Sequence, residues 1–384
     1  MKIGIITYQL AWNCGAVIQC YAMQEYLESL GHEAVVIDYR PKKKKYRYVK
    51  YCNPFVAAGN ELKNAGTVKI RIKRSAKRFV RTILNYRSDS EHIRQYNGFS
   101  SFCRNRLHLT KEYTDLEQMR KDPPKCDVYL SGSDQLWNPR LSGWTLDPAY
   151  FLQFGTEDTE RITYAVSACE LDAEKYSKEL KEYCANLDHI SLREHEGVEA
   201  IEKVIGRHIE VCPDPTFLPE LGIYEPLVPD KLLDLSDYIA VYLLMDATDD
   251  YSAIEKVRKL KEALGKPVLV LSGPRHWPFE VTQIQGILPE EFVYYIKNAS
   301  CVVCNSFHAT VFSVLYEKQF VTLSFKGRNA RMNELLTQLD LNERTLKPTD
   351  DMVEKMREPI DYTKVNQKRT EMRSRGTEYL KKCL

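Results

Sequence analysis

The sequence predicts an α/β protein built from two Rossmann-like lobes, and three observations carry that prediction. Short β-branched runs alternate with helical periods near the N-terminus and again from Tyr238 onward; a proline-dense stretch separates the two alternations; and 384 residues with 43% hydrophobic content exceed one typical domain. Charged residues at 28%, with 17 Gly and 17 Pro, exclude collagen-like, disordered and low-complexity chains. Eleven cysteines without framework spacing fit a reducing compartment, so the cytoplasm is expected. The opening MKIGIITYQL enters a strand directly, without the pattern of a signal peptide, and no apolar run reaches the ~18 residues of a spanning helix.

Lys2 to Tyr8 is a β-branched apolar run, and a polar loop leads from it to Gly15. Val17, Ile18, Tyr21, Ala22 and Leu27 then follow helical spacing, Gly31 stops the helix, and AVVIDY returns as a buried strand. This is a βαβ unit. DVYLSGSD, RITYAVSA and HISLRE read as further strands ending in small polar or charged residues. CPDPTFLPELGIYEPLVPDK has no helical period and reads as a linker. The second alternation runs through YIAVYLLM, a helix from Tyr251 to Leu264 stopped by Gly265, and the strand PVLVLSG. LPEEFVYYIKNA follows as a helix with Pro289 and two glutamates in its first turn, then CVVC, a helix from Ser306 to Tyr316, and FVTLS. The expected organisation is an N-terminal lobe over 1–210 with a basic helical insertion around 42–100, and a linker over 211–236. A C-terminal lobe over 237–350 and a helical tail over 351–384, able to pack back on the first lobe, complete it. Ligands of such folds bind at the carboxyl ends of the strands, here between the lobes.

The net charge of +2 conceals an asymmetry. Arg40 to Arg87 holds sixteen Lys and Arg against one acid, Glu61, which leaves 39 bases and 52 acids elsewhere. Within Val68 to Tyr86, Ile72, Ala76, Phe79, Val80 and Ile83 share one helical face and basic residues occupy much of the rest. Such a helix either rests on anionic lipid or packs its stripe on the protein and leaves a solvated basic face.

Three segments can carry chemistry. In TYQLAWNCGAV, Asn13 and Gly15 sit where a backbone can approach an anion at a helix N-terminus, although neither G-x-G-x-x-G nor a P-loop lysine is present. In SGSDQLWNP, Gly132, Ser133, Asp134, Gln135 and Trp137 combine hydrogen-bonding groups with a flat ring, which suits a sugar, while a capped turn over a core tryptophan is the structural reading. In CNSFHATVFS, Asn305 or Ser306 can cap a helix whose first turn holds His308, facing the cleft as an acid/base. Lys326, Arg328 and Arg331 follow the next strand, and Arg193 ends one in the first lobe, so the cleft is expected to be cationic from both sides and able to clamp phosphate or carboxylate. CVVC lacks a second pair and spaced histidines, so no metal site is expected.

The ordered blocks GIITYQLAWNCGAVIQCYAMQEYLESLGHEAVVIDY, SGSDQLWNP, YAVSAC, SLRE, CPDPTFL, LPEEFVYYIKNASCVVCNSFHATVFSVLYEKQFVTLSF and NARMNELL resemble the polysaccharide pyruvyl transferase family. They run from the first strand to about residue 345 and leave the basic segment and the tail uncovered. The resemblance implies a GT-B-like pair of lobes and transfer of a pyruvyl group from phosphoenolpyruvate to two sugar hydroxyls, forming a cyclic ketal on a cell-surface polysaccharide or its precursor. It implies His308 as the catalytic histidine, Arg193 and Lys326 as donor-binding cations, and a mechanism with neither metal nor organic cofactor; the compact trianion of phosphoenolpyruvate demands several cations, and Arg331 is the further one expected to bind it. Asn13, Gly15, Asp134 and Gln135 match by pattern without assigned steps. The chain departs at Cys14, where an aromatic is common, and at Ala309, where glycine is common. The glycan acceptor could be lipid-linked, which would bring the protein to the inner face of the membrane through residues 68–86. A sugar-nucleotide-dependent glycosyltransferase is the rival enzyme reading. Nucleic-acid binding through the basic segment lacks an aromatic stacking pattern.

Overall fold

The computed structural model describes residues 1–41, 62, 68–85, 90–230, 232, 235–244, 251–272, 276–323 and 330–384. In the N-terminal lobe, β1 (Lys2–Ile6) is central: Ile3 lies in register with Ala34 of β2 (Glu33–Val36) on one side and Val128 of β3 (Val128–Ser131) on the other. β4 (Glu160–Thr163) pairs with β3, and isolated bridges from Ile162 to His189 and Val166 to Leu192 lead to the short pair β5 (Ser191–Leu192) and β6 (Glu210–Val211). All these pairings are parallel. The C-terminal lobe repeats the design with β7 (Ile239–Tyr242), β8 (Val268–Ser272), β9 (Thr282–Gln283), β10 (Cys301–Cys304), β11 (Gln319–Leu323) and β12 (Thr345–Leu346), in parallel order β12-β11-β10-β7-β8-β9. Each strand order reverses beside the lobe's first strand, which opens a crevice at the carboxyl ends of the strands.

α1 (Cys14–Ser29) begins because Asn13 caps it, Oδ1 accepting from the backbone N–H of Gly15 at 3.0 Å and Ala16 at 3.3 Å. Gly31, at φ +87°, takes the left-handed turn that ends it. Every residue from Cys14 to Gln24 is buried, because α1 lies between its own sheet and α8 (Pro289–Lys297) of the other lobe. Burial also pushes the Cys14 thiol well above its ordinary value, so it is neutral and unsuited to nucleophilic work.

Two further helices join the lobes. α3 (Ser90–Arg106), which follows the basic α2 (Val68–Asn85), places Arg94 Nη1 2.9 Å from the carbonyl of Gln285 and 2.8 Å from that of Gly286, and pairs Arg94 with Glu291. α12 (Tyr362–Cys383) starts on the C-terminal lobe, where Tyr362 donates to the Lys318 carbonyl, and ends on the N-terminal one. There Tyr379 donates to the Thr163 carbonyl at 2.8 Å and Lys382 meets Glu210 at 2.8 Å. Gly376 permits this crossing: a Cβ there would lie 2.3 Å from the Tyr164 hydroxyl and 2.7 Å from Leu218.

Gly376→Ala should therefore lower the thermal midpoint, by an overpacking cost of about 1–3 kcal/mol that exceeds its helix-propensity gain. Calorimetry checks this, and an unchanged or raised midpoint would show that α12 does not dock as described.

Candidate active site between the lobes

The site assembles at strand ends. Ser133 follows β3, Arg193 follows β5, Asp214 follows β6, and His308 lies in the first turn of α9 (Phe307–Leu315) after β10. Asp214 is the hub. Its Oδ2 accepts from Arg193 Nη1 at 2.8 Å and Ser133 Oγ at 2.9 Å, and its Oδ1 from Thr216 Oγ1 at 2.7 Å and Thr216 N at 3.1 Å. His308 Nε2 stands 3.5 Å from Oδ2, close enough for charge attraction without a well-formed hydrogen bond. The Asp-Pro-Thr order explains the local turn, with Asp214 capping a 3-10 turn over Pro215–Phe217 whose first position is proline. The proline-dense stretch read as a linker thus supplies a fully buried carboxylate.

Charge and burial oppose each other here. Burial disfavours the Asp214 charge, yet His308 and Arg193, with the Thr216 hydrogen bond, hold its carboxyl well below the usual carboxylate range. Burial likewise pulls the Arg193 guanidinium down, while Glu194, Asp214 and Asp134 raise it above its ordinary value. Arg193 Nε donates to Glu194 at 2.9 Å, and the guanidinium lies 4.3 Å over the Phe307 ring of the other lobe. The cationic cleft expected from sequence is consequently corrected on the Arg193 side, where two carboxylates balance the charge. Lys326 and Arg328, the other cations of that expectation, lie outside the described residues.

What remains is a set of unmet donors. Among the described residues, Arg193 Nη2, His308 Nε2 and Arg331 Nε are buried without a hydrogen-bond partner, a condition that costs about 1–3 kcal/mol per group. Arg331, in α10 (Ala330–Gln338), lines a small interlobe cavity of about 10 Å³ with Arg193, Asp214 and Phe307. Its guanidinium also reaches the first lobe, where Gln135, with its amide oxygen turned toward it, accepts at 3.0 and 3.2 Å.

The remaining expected site residues divide clearly. Gly15 is required by contact, since a Cβ there would fall 2.2 Å from His308 Cγ and Nδ1. Asp134 adopts φ +80° and lines, with Asn13 and Gln135, a pocket of about 320 Å³ at the carboxyl ends of β1 to β3. Tyr8, Trp12, Tyr39, Tyr96 and Tyr150 supply its aromatic walls, and Arg40 a charge held by Asp38 at 2.6 Å. Gly132 keeps the strand ladder, its N–H donating to Ile6, and an added Cβ would meet Thr7 at an ordinary 3.4 Å. Ser306 is the buried N-cap residue of α9, though its hydroxyl makes no capping bond, while Asn305 instead receives Leu244 N–H at 2.7 Å. Trp137 is the correction: it is fully buried, stacked on Phe151 at 4.4 Å, and donates to the Tyr150 carbonyl at 3.4 Å, so its face belongs to the core. The aromatic wall instead comes from four separated segments and carried no local signal beyond single tyrosines and Trp12.

The Asp214 linkage sets a pH dependence. Its folded pKa is depressed, so its contribution is present above the unfolded carboxylate value of about 4 and is lost as pH falls below that toward the folded value. Asp214→Asn should remove about 3–5 kcal/mol at neutral pH by taking from the buried Arg193 one of its two carboxylate partners, and should show a shallower loss of stability below about pH 4 than the parent. Denaturant titrations across that range check both, and parallel acid limbs would contradict the assignment.

The geometry meets an independent finding from comparison with known proteins. No curated protein matches the chain by sequence. Among solved structures, an MnaA–UDP co-structure from S. aureus has TM-score 0.50 at 8% identity, over 97% of this chain and 91% of that one. A UDP-GlcNAc 2-epimerase from Methanocaldococcus jannaschii has 0.46 at 12%, over 97% and 93%, and the glycosyltransferase SnogD from Streptomyces nogalater 0.46 at 13%, over 99% and 95%. Likeness at such identity speaks for the fold alone, which is a GT-B-like arrangement of two Rossmann-like lobes. The family model for polysaccharide pyruvyl transferase matches residues 13–327, a span that contains Asn13, Gly15, Ser133, Arg193, Asp214 and His308, and the chain belongs to that family.

Proposed function

We propose that the protein transfers the pyruvyl group of phosphoenolpyruvate to two hydroxyls of one sugar in a polysaccharide or its precursor, closing a cyclic ketal. The observation that supports this most is the triad of unmet donors from both lobes, Arg193 Nη2, His308 Nε2 and Arg331 Nε, gathered around buried Asp214. A compact anion with a phosphate and a carboxylate supplies the acceptor oxygens those donors lack. Because the cavity that Arg193, Asp214 and Arg331 line is only about 10 Å³, the donor enters by displacing side chains around it.

Gln135 joins that cluster to the aromatic pocket, since it touches Arg331 and lines the pocket with Asp134. The pocket, at about 320 Å³, reaches the lower end of the range for small-molecule sites. Its tyrosines and Trp12 offer apolar faces to a sugar ring, and Asn13, Asp134 and Gln135 offer hydrogen bonds to its hydroxyls.

In this reading His308, whose Nε2 lies 3.5 Å from the Asp214 carboxylate, places a proton on the terminal carbon of the enol. A sugar hydroxyl oxygen adds to the neighbouring carbon, and its proton passes to Asp134 at the pocket edge. The carbon–oxygen bond to phosphate then breaks, its electron pair leaving with phosphate, and the second hydroxyl adds to the same carbon. Two hydroxyl protons are released in all: one balances the proton now on the methyl group, and the other leaves with phosphate. His308 and Asp134 carry the two side-chain proton transfers of this reading, the second hydroxyl's proton leaves with phosphate, and no step is routed through a metal or organic cofactor.

His308→Ala should reduce phosphate release by at least about 100-fold, in the range of general acid–base catalysis, while phosphoenolpyruvate still binds. Phosphate release and mass gain on a panel of glycosides, with calorimetric donor titration, measure the two separately. Near-parental turnover in the variant would remove His308 from the chemistry. Thermal stabilisation by UDP- or GDP-sugars and none by phosphoenolpyruvate would favour the glycosyltransferase reading.

A further inference from the structure

Much of the apolar stripe of α2 is turned away from the protein. Ile72, Ala76 and Val80 recur every four residues and form one row on the helix surface; Ile72 is 56% and Val80 52% exposed, and Ala76 is exposed between them. The helix instead faces the protein with a different row, in which Ser75 is buried and Arg71 and Phe79 are partly buried. Phe79 thus turns toward the protein at one edge of the stripe, while the row Ile72–Ala76–Val80 is left uncovered.

The row next to the stripe is cationic. Lys73 and Lys77 are exposed beside it, Arg74 is exposed further round, and the sequence of Val68–Asn85 holds seven Lys and Arg without one acid. Charges of one sign flanking exposed branched aliphatic residues match a surface that is anionic at its face and apolar just beneath. Among the described residues no helix is long and apolar enough to cross a membrane.

We propose that α2 docks the protein on an anionic lipid bilayer, with Ile72 and Val80 entering the headgroup boundary and Lys73 and Lys77 pairing with lipid phosphates. The helix ends five residue steps before α3 begins, so the two ends lie within ~18 Å of one another along the chain. α3 contributes Tyr96, Phe99 and Ser100 to the aromatic pocket, so a docked α2 holds that pocket near the lipid surface. That last consequence, delivery of a lipid-linked acceptor, rests on the proposed function; the docking itself does not.

Co-sedimentation of the full chain with vesicles of phosphatidylcholine alone, or of phosphatidylcholine with phosphatidylglycerol, tests the docking without donor or acceptor. Binding should require phosphatidylglycerol and weaken with salt. Lys73→Gln and Lys77→Gln should each lower the partition coefficient about fivefold, and Ile72→Ser with Val80→Ser should lower it at least as far, with thermal midpoints unchanged because these side chains are exposed. Equal binding to neutral vesicles, no binding to either, or variants that bind like the parent would overturn the proposal. So would a salt-resistant dimer, seen by light scattering and dissolved by the stripe substitutions, which would assign the face to a second copy.

Discussion

One buried carboxylate organises this molecule. Asp214 has its side chain entirely shielded from water, and it is stable there because Arg193, Ser133 and Thr216 bond it directly while His308 stands close by. A charge in that position would otherwise be strongly unfavourable, so the neighbours are fixed as firmly as the acid is. Three of them come from separate strand ends of the first lobe's sheet region and the fourth from the second lobe. The carboxylate thus ties the relative position of the lobes to the orientation of the histidine between them.

Close packing enforces the same geometry from the other side. The first turn of α1 meets the imidazole of His308 at Gly15, where no side chain fits, and Cys14 reaches the Ile287 carbonyl at 3.8 Å. Arg193 stacks on Phe307, which precedes the histidine, so the helix carrying His308 is gripped at adjacent residues. Within this cluster Arg193 Nη2, His308 Nε2 and Arg331 Nε are left without a partner, and Arg193 and Arg331 line one small cavity with Asp214. Buried polar groups left without a partner are uncommon, and the proposed anion would supply the acceptors these lack.

The repeating β/α rhythm was legible because buried parallel strands leave continuous β-branched runs, as in Ile3–Ile6 and Val302–Val303, and because Gly31 and Gly265 mark helix ends. Strands proved shorter than the apolar runs at their carboxyl ends, where Tyr39 and Val166 leave the regular ladder to build loops. The positions of His308 and Arg193 at the ends of buried strands were also readable, since β10 and β5 precede them closely in sequence. Asp214 was not. Its partners lie 21 residues away at Arg193 and 81 at Ser133, and a proline-rich neighbourhood looks the same whether it spans solvent or turns through the interior. Trp137 stayed open between two readings for a related reason, because only Phe151 and the Tyr150 carbonyl, 14 and 13 residues on, decide that its ring faces inward.

The claim on which the account turns is that the unmet donors of both lobes form one anion site beside the aromatic pocket. A crystal structure of the protein with phosphoenolpyruvate tests it most directly. Phosphate or carboxylate oxygens should lie within hydrogen-bond distance of Arg193 Nη2, His308 Nε2 and Arg331 Nε, with the Asp214 contacts retained. Donor bound elsewhere while those three groups stay unpaired would contradict it.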